Sequence, residues 1–282
     1  MSNVALVTGA NQGLGYALVA GLGRALPAGS TVYLGARDPA RGAAAVEALR
    51  TEGLAPELLV VDVTDDASVA AAAALIRARH GGIDVVISNA AARMTRAATP
   101  ASEVRTFVDT NNHGTHRVLR AFAPLLRDGA RLLVVASSFG SLNRLAPSLH
   151  HHFDVSTRTL DDIARVMDDY AALVEAGRAE EVGWPAWINV ASKVAQVAST
   201  KILARDLRDD AEARDLLFDA VCPGLVDTEA SRPWFADMSA AQTPEVAARD
   251  VVWLATLPRG TRAPYGELVR HRAILPWTAP GA

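Results

Sequence analysis

The chain has 282 residues, half of them hydrophobic, which is enough to build one large core in a single α/β domain over 1–282. A net charge of −3, with no Lys/Arg cluster interleaved with aromatics, excludes the electrostatic footprint of a nucleic-acid binder. No apolar run reaches the roughly 18 residues that span a bilayer, Met1-Ser2-Asn3 leads directly into a strand-like run without a cleavable leader, and Cys222 is the only cysteine, so a cytoplasmic protein without membrane partners or an internal disulfide is expected.

Short β-rich runs alternate with longer alanine-rich helical stretches. In chain order they are strand 4–7 and helix 14–26, strand 31–34 and helix 40–50, strand 58–61 and helix 67–79, then strand 84–87, a helix near 102–126 and strand 131–135. This order predicts parallel strands joined by crossover helices. Strands so continuously apolar are covered on both faces, which gives a Rossmann-type, doubly wound, mostly parallel sheet.

Thr8-Gly9-Ala10-Asn11-Gln12-Gly13-Leu14-Gly15 follows the first strand and opens the first helix, the setting a glycine-rich phosphate turn requires. Gly9 permits the tight turn, Gly13 close approach to a pyrophosphate, and Gly15 close helix packing. The free N–H groups of Asn11, Gln12 and Leu14 then face the phosphates at the positive end of the helix. Gly35-Ala36-Arg37-Asp38 follows the second strand. An acid there suits the ribose hydroxyls of NAD, whereas Arg37 pairs with a 2′-phosphate, and the arginine makes NADP(H) the expected cofactor.

These residues resemble the short-chain dehydrogenase/reductase family, whose turn T-G-x-x-x-G-x-G is matched by Thr8 to Gly15, and the resemblance runs nearly end to end. It implies an adenine contact at Asp62 and Val63, and a cofactor-side segment at Ser88-Asn89-Ala90-Ala91. It further implies an asparagine, Asn111, that organises a proton-relay water, and a carbonyl-polarising serine, Ser137. Lys193 corresponds to the lysine that binds the nicotinamide ribose, and Pro223, Gly224, Val226 and Thr228 to the segment facing the carboxamide. Ser137 and Lys193 stand 56 positions apart (193 − 137), so an insertion occupies about 142–185. With 149–153, the helical stretch 160–176 and Gly183-Trp184-Pro185, this resembles the monomeric carbonyl reductases. In those proteins the resemblance implies an inserted helix over a face that other members use for tetramers. Ile163, Val166, Met167, Tyr170 and Val174 form the apolar stripe such packing needs, and a monomer is expected.

The departure is central to the chemistry. The family signature is Y-x-x-x-K, and the residue four positions before Lys193 is Asn189. Of the four tyrosines, Tyr16, Tyr33, Tyr170 and Tyr265, Tyr170 lies in a segment near the expected cleft. An amide donates a hydrogen bond but does not ionise usefully near neutral pH, so the general-acid share of the rate, typically 10²–10⁴-fold, is lost or supplied elsewhere.

Three readings follow. The leading one is an NADP(H)-dependent reductase in which Ser137 and Asn189 hold the carbonyl oxygen of a bulky aromatic or polyketide-like substrate. Its proton comes from water, His113, one of His150, His151 and His152, or Tyr170. The second is a non-redox cyclase, dehydratase or isomerase of natural-product biosynthesis, and the third a silent nucleotide binder. His113, two residues past Asn111, points to a structural role. Three adjacent histidines in a loop do not easily face one ion, so no metal is expected. Trp187, Trp234 and Phe235, with Trp184, either line an aromatic pocket or pack in the core. A segment at about 229–242 resembles the family's substrate lid, with Pro233-Trp234-Phe235 as its apolar cover.

Overall fold

The structure is a computed structural model that describes residues 2–278; Met1 and 279–282, inside the expected domain span, lie outside the described residues. The first half is built as β1 (Val4–Val7), α1 (Gly13–Ala25), β2 (Thr31–Ala36), α2 (Pro39–Thr51), β3 (Glu57–Val60), α3 (Asp66–His80) and β4 (Ile83–Ser88). Then come α4 (Pro100–Val108), α5 (Gly114–Phe122), β5 (Leu126–Val135), α6 (Leu160–Glu175), α7 (Ile188–Asp206) and α8 (Arg208–Arg214). The chain closes with β6 (Leu217–Val221), α9 (Pro244–Ala255), β7 (Leu268–Arg270) and β8 (Ala273–Leu275).

These strands form one sheet in the order β3-β2-β1-β4-β5-β6-β7-β8, with β1 to β7 parallel and β8 antiparallel to β7. Alternate residues of a strand face opposite sides. Val4 and Leu6 of β1 therefore pack with α3 and α5, while Ala5 and Val7 pack with α1, α2 and α9, and the sheet is doubly wound as expected. The strand order reverses about β1 and β4, which leaves a crevice at their carboxyl ends.

Two expectations from the periodicity need correction. The helix expected over 102–126 is broken: α4 passes into a wide π turn at Asp109–His113 before α5, and Pro124 lies in a further short turn at Ala123–Leu125. Strand β5 begins at Leu126 rather than 131, with its register against β4 shifting between Ile83 and Val85. The apolar stripe of α6 is buried as predicted: Ile163, Val166, Met167, Tyr170 and Val174 pack with Phe107 of α4 and with Val194 and Ala198 of α7. Its start is fixed by a reciprocal cap, in which Thr159 Oγ1 accepts from the Asp162 N–H and Asp162 Oδ2 from the Thr159 N–H.

Asp219, in the centre of β6, is fully buried; its Oδ1 accepts from the Glu267 N–H at 2.9 Å, while Oδ2 has no partner. Burial pushes its carboxyl up to about 8. The folded state therefore binds this proton more tightly than the unfolded chain between the ordinary carboxylate range and about 8. The stabilisation is complete at acid pH and is lost as pH rises through that window. The melting temperature is expected to fall between pH 5 and 8 by several degrees, with Asp219→Asn flattening the fall; equal slopes in a thermal titration would contradict this.

Candidate active site

The glycine turn is held by backbone crowding. Gly9 and Gly13 have positive φ (63° and 55°), and a Cβ on Gly9 would lie 2.6 Å from Ala90 Cα. Asn89 braces the turn from the end of β4: its Nδ2 donates to the Thr8 and Gly9 carbonyls at 2.9 and 3.2 Å. The N–H groups of Asn89 and Ala90 both donate to Thr8 Oγ1. Asn89 thus supports the loop formed by Asn11, Gln12 and Leu14. Gln12 is the extended N-cap of α1, and its side chain satisfies none of the helix's first N–H groups, which stay free for an anion.

Further along this edge, Arg37 is well exposed, with its Nε 3.9 Å from Asp62 Oδ2. Asp38 caps α2, its Oδ1 accepting from the N–H groups of Ala40 and Arg41. Arg41, which the sequence reading did not single out, donates to Gln12 Oε1 at 2.6 Å and adds a second guanidinium beside the turn. Asp62 Oδ1 accepts from the N–H and Oγ1 of Thr64, and Val63 packs against Gly114 at the start of α5.

Ser137, two residues past the end of β5, opens a short helical turn with its Oγ accepting from the Phe139 N–H at 3.3 Å. Asn189 lies in the first turn of α7 and Lys193 one turn later, so both face the same side. Ser137, Asn189, Lys193 and Asn111 line one cleft of about 390 Å³, with Leu14 and the Pro223-to-Thr228 segment on its cofactor side. Burial pushes the Lys193 ammonium down to about 8. Its Nζ donates to the Val135 carbonyl at 3.2 Å and to Gln196 Oε1 at 2.7 Å. Asn111 sits in the π turn; its Oδ1 accepts from the Ala92 N–H, and its carbonyl from Gln196 Nε2.

Four aromatic rings line the same cleft. The Trp187 ring lies 5.0 Å from Phe139, 6.4 Å from Trp234 and 6.5 Å from Phe235, and all four line the cleft. Trp184 is not part of it: this ring packs against Tyr170 and Phe153 within the insertion. The segment expected as a lid carries Glu229, whose carboxylate meets Arg93 at 2.9 Å and ties it to the loop after β4. Phe139, Arg93 and Gln196 carry no motif and were not read from the sequence; periodicity marks Gln196 as an ordinary helix residue.

The candidate proton donors lie elsewhere. His113 Nε2 pairs with Asp168 of α6 at 2.9 Å, the structural role expected of it. His150 Nε2 meets the Leu145 carbonyl, His151 is exposed and His152 stacks on Trp184. Tyr170 is buried among the insertion's apolar residues, which raises its phenol's pKa far above neutral. Tyr16, Tyr33 and Tyr265 bond to Glu52, His80 and the Ala204 carbonyl. None of these residues lines the cleft, so His150, His151, His152 and Tyr170 are corrected as proton sources there, and of the expected sources water is the one their placement does not remove.

Comparison with known proteins agrees with this architecture. The family described as short chain dehydrogenase matches residues 3–148. Carbonyl reductase [NADPH] 1 of Sus scrofa is 35% identical over 283 residues, covering 99% of this chain and 96% of its own. Carbonyl reductase [NADPH] 3 of Rattus norvegicus is 33% identical, covering 98% and 99%. Among solved structures, salutaridine reductase from Papaver somniferum superposes with a TM-score of 0.82 at 25% identity, covering 94% of this chain and 99% of its own. This chain belongs to the short-chain dehydrogenase/reductase family.

Proposed function

We propose that this protein is an NADP(H)-dependent reductase acting on the carbonyl of a bulky, aromatic or polyketide-like small molecule, and that it works as a monomer. The observation that carries the reading is the cleft: Ser137, Asn189 and Lys193 line one volume together with Phe139, Trp187, Trp234 and Phe235, and with Leu14 of the glycine turn. The relatives named as NADPH carbonyl reductases support the same chemistry. The site fits the cofactor on its own terms. The first N–H groups of α1 have no side-chain cap, the glycine turn has no room for Cβ atoms at Gly9 and Gly15, and the Arg37 guanidinium is exposed, held only by a loose 3.9 Å pairing with Asp62 while Asp38 caps α2.

In this reading Gly9, Gly13 and Gly15 with the first turn of α1 hold the pyrophosphate, and Arg37 the 2′-phosphate. Lys193 and the Pro223-to-Thr228 segment face the nicotinamide half. When bound, NADPH supplies the hydride. Ser137 Oγ and the Asn189 amide donate hydrogen bonds to the substrate oxygen, stabilising the charge that develops there. The aromatic wall orients a ring system, and the covering segment keeps water from the reacting carbon. The insertion at 142–185 places α6 over α4 and α7, burying an apolar face and supporting a monomeric state.

A second reading, a non-redox cyclase, dehydratase or isomerase, is favoured by the non-ionising Asn189 where the family resemblance implies tyrosine. One experiment separates the two. Purified protein with NADPH and a panel of aromatic ketones and quinones is expected to consume cofactor in proportion to alcohol formed. NADPH should bind at least about tenfold more tightly than NADH, the low end for a charge-assisted phosphate contact. Conversion without a change in nicotinamide absorbance would sink the reductase reading.

A further inference from the structure

Gln196 lies one helical turn beyond Lys193 on α7, is only 2% exposed, and its amide joins two parts of the cleft. Its Oε1 accepts from Lys193 Nζ at 2.7 Å, while Nε2 donates to the Asn111 carbonyl and to Thr115 Oγ1, each at 2.9 Å. Chemistry fixes this orientation. An ammonium only donates and a carbonyl only accepts, so a flipped amide would set donor against donor at one end and acceptor against acceptor at the other. The Val135 carbonyl takes a second N–H of Lys193, so two of the ammonium's three donors are anchored to protein while the residue lines the cleft beside Ser137 and Asn189.

No group in this clamp passes a proton onward near neutral pH: the amide does not ionise, and the Asn111 and Val135 carbonyls are not acids. Proton exchange at Lys193 therefore runs through the cleft. Among the described residues, the Cys222 thiol is the other titratable group that acts on Lys193, and Arg93 and Arg270 are the remaining cationic groups along the cleft. Guanidinium groups hold their protons at any working pH. Lys193 is left as the cationic acid of the cleft that releases a proton within the working pH range, on the same lining as Ser137 and Asn189.

We propose that Gln196 is a positioning residue that clamps Lys193 as the proton donor to a carbonyl oxygen held by Ser137 and Asn189. The inference rests on the reductase reading. The step balances: the carbonyl carbon gains the hydride that NADPH supplies when bound, and the C=O π pair moves onto oxygen. That oxygen takes the proton of Lys193 Nζ, the neutral amine regains one from solvent in the cleft, and NADP⁺ and alcohol remain.

The test uses the full chain and two readouts: acylation of Lys193 in cofactor-free protein, followed by mass spectrometry across pH, and the pH dependence of kcat for ketone reduction. Gln196→Glu sets a carboxylate against the ammonium and is expected to raise the labelling midpoint by about one pH unit or more, since an opposite charge at this distance favours the charged form. Gln196→Met fills a similar volume without an acceptor and is expected to lower it. Activity should fall as pH rises past the Lys193 midpoint, and that limb should move with the labelling midpoint in both variants, each checked for native folding by circular dichroism. Unchanged midpoints in both folded variants overturn the clamp. A kcat profile that stays in place while labelling moves overturns the donor role. Absence of turnover in the wild type, with labelling shifts intact, overturns the reductase reading and the donor role together, while the clamp stands.

Discussion

Gly15→Ala is expected to weaken NADPH binding by about 100-fold, ~2.7 kcal/mol, and to lower the melting temperature by several degrees. A Cβ at this position would lie 2.5 Å from the Gly9 carbonyl oxygen, 2.6 Å from Asn89 Nδ2 and 2.8 Å from Ala10 Cα. Two of these are backbone atoms of the turn itself, and the third belongs to a side chain already bonded to the Thr8 and Gly9 carbonyls. None can retreat without moving the N–H groups that face the phosphates, so a change of one methyl group acts on binding before it acts on the fold. Gly23→Ala is the control: it lies on the same helix, exposed, with only the flexible Leu54 side chain near. That substitution should stabilise the helix by up to ~1 kcal/mol and leave affinity unchanged. Equal affinities for the two variants in a fluorescence titration would remove the turn from the cofactor site.

Ser137→Ala is expected to lower kcat/KM for ketone reduction by about 10²–10³-fold, the usual cost of deleting one donor to a developing oxyanion. The effect should appear in kcat with KM nearly constant, because the hydroxyl's contribution grows as charge builds on the substrate oxygen. Stability offers little competing explanation. The Oγ makes a single 3.3 Å capping contact to the Phe139 N–H, and losing such a cap costs roughly 1 kcal/mol. Steady-state kinetics with matched thermal melts decide the matter; a variant that keeps full kcat would place the oxygen elsewhere in the cleft.

The parallel sheet and the phosphate turn were legible because each rests on local rules. Continuous apolar runs alternate with helical ones, and three glycines stand at fixed offsets after the first strand. The stripe of α6 was equally plain, since five residues at helical spacing have one side to bury. What remained hidden depends on contacts far apart in sequence. The π turn at Asp109–His113 leaves no trace in periodicity, and it presents the Asn111 carbonyl to Gln196 on another helix, 85 positions later. Phe139 reads as a loop residue until α7 brings Trp187 against it. Asp38 read as a competitor to Arg37 because a capping aspartate and a ribose-binding one look alike before the helix start is known. The histidine run and Tyr170 were candidates by composition, and packing of the insertion carries them away from the cleft.

The contact between Arg93, which lines the cleft, and Glu229 joins two surface segments, with side chains 39% and 72% exposed. Such a pair contributes at most about 1 kcal/mol and is screened by dissolved ions, whose Debye length shrinks from about 8 Å at physiological ionic strength to about 3 Å at 1 M. On the proposed reading of 229–242 as the cover of the cleft, a salt-rich solution weakens this tie without touching Ser137, Asn189 or Lys193. KM for a ketone is then expected to respond to ionic strength more than kcat does, and steady-state kinetics across a salt series check it.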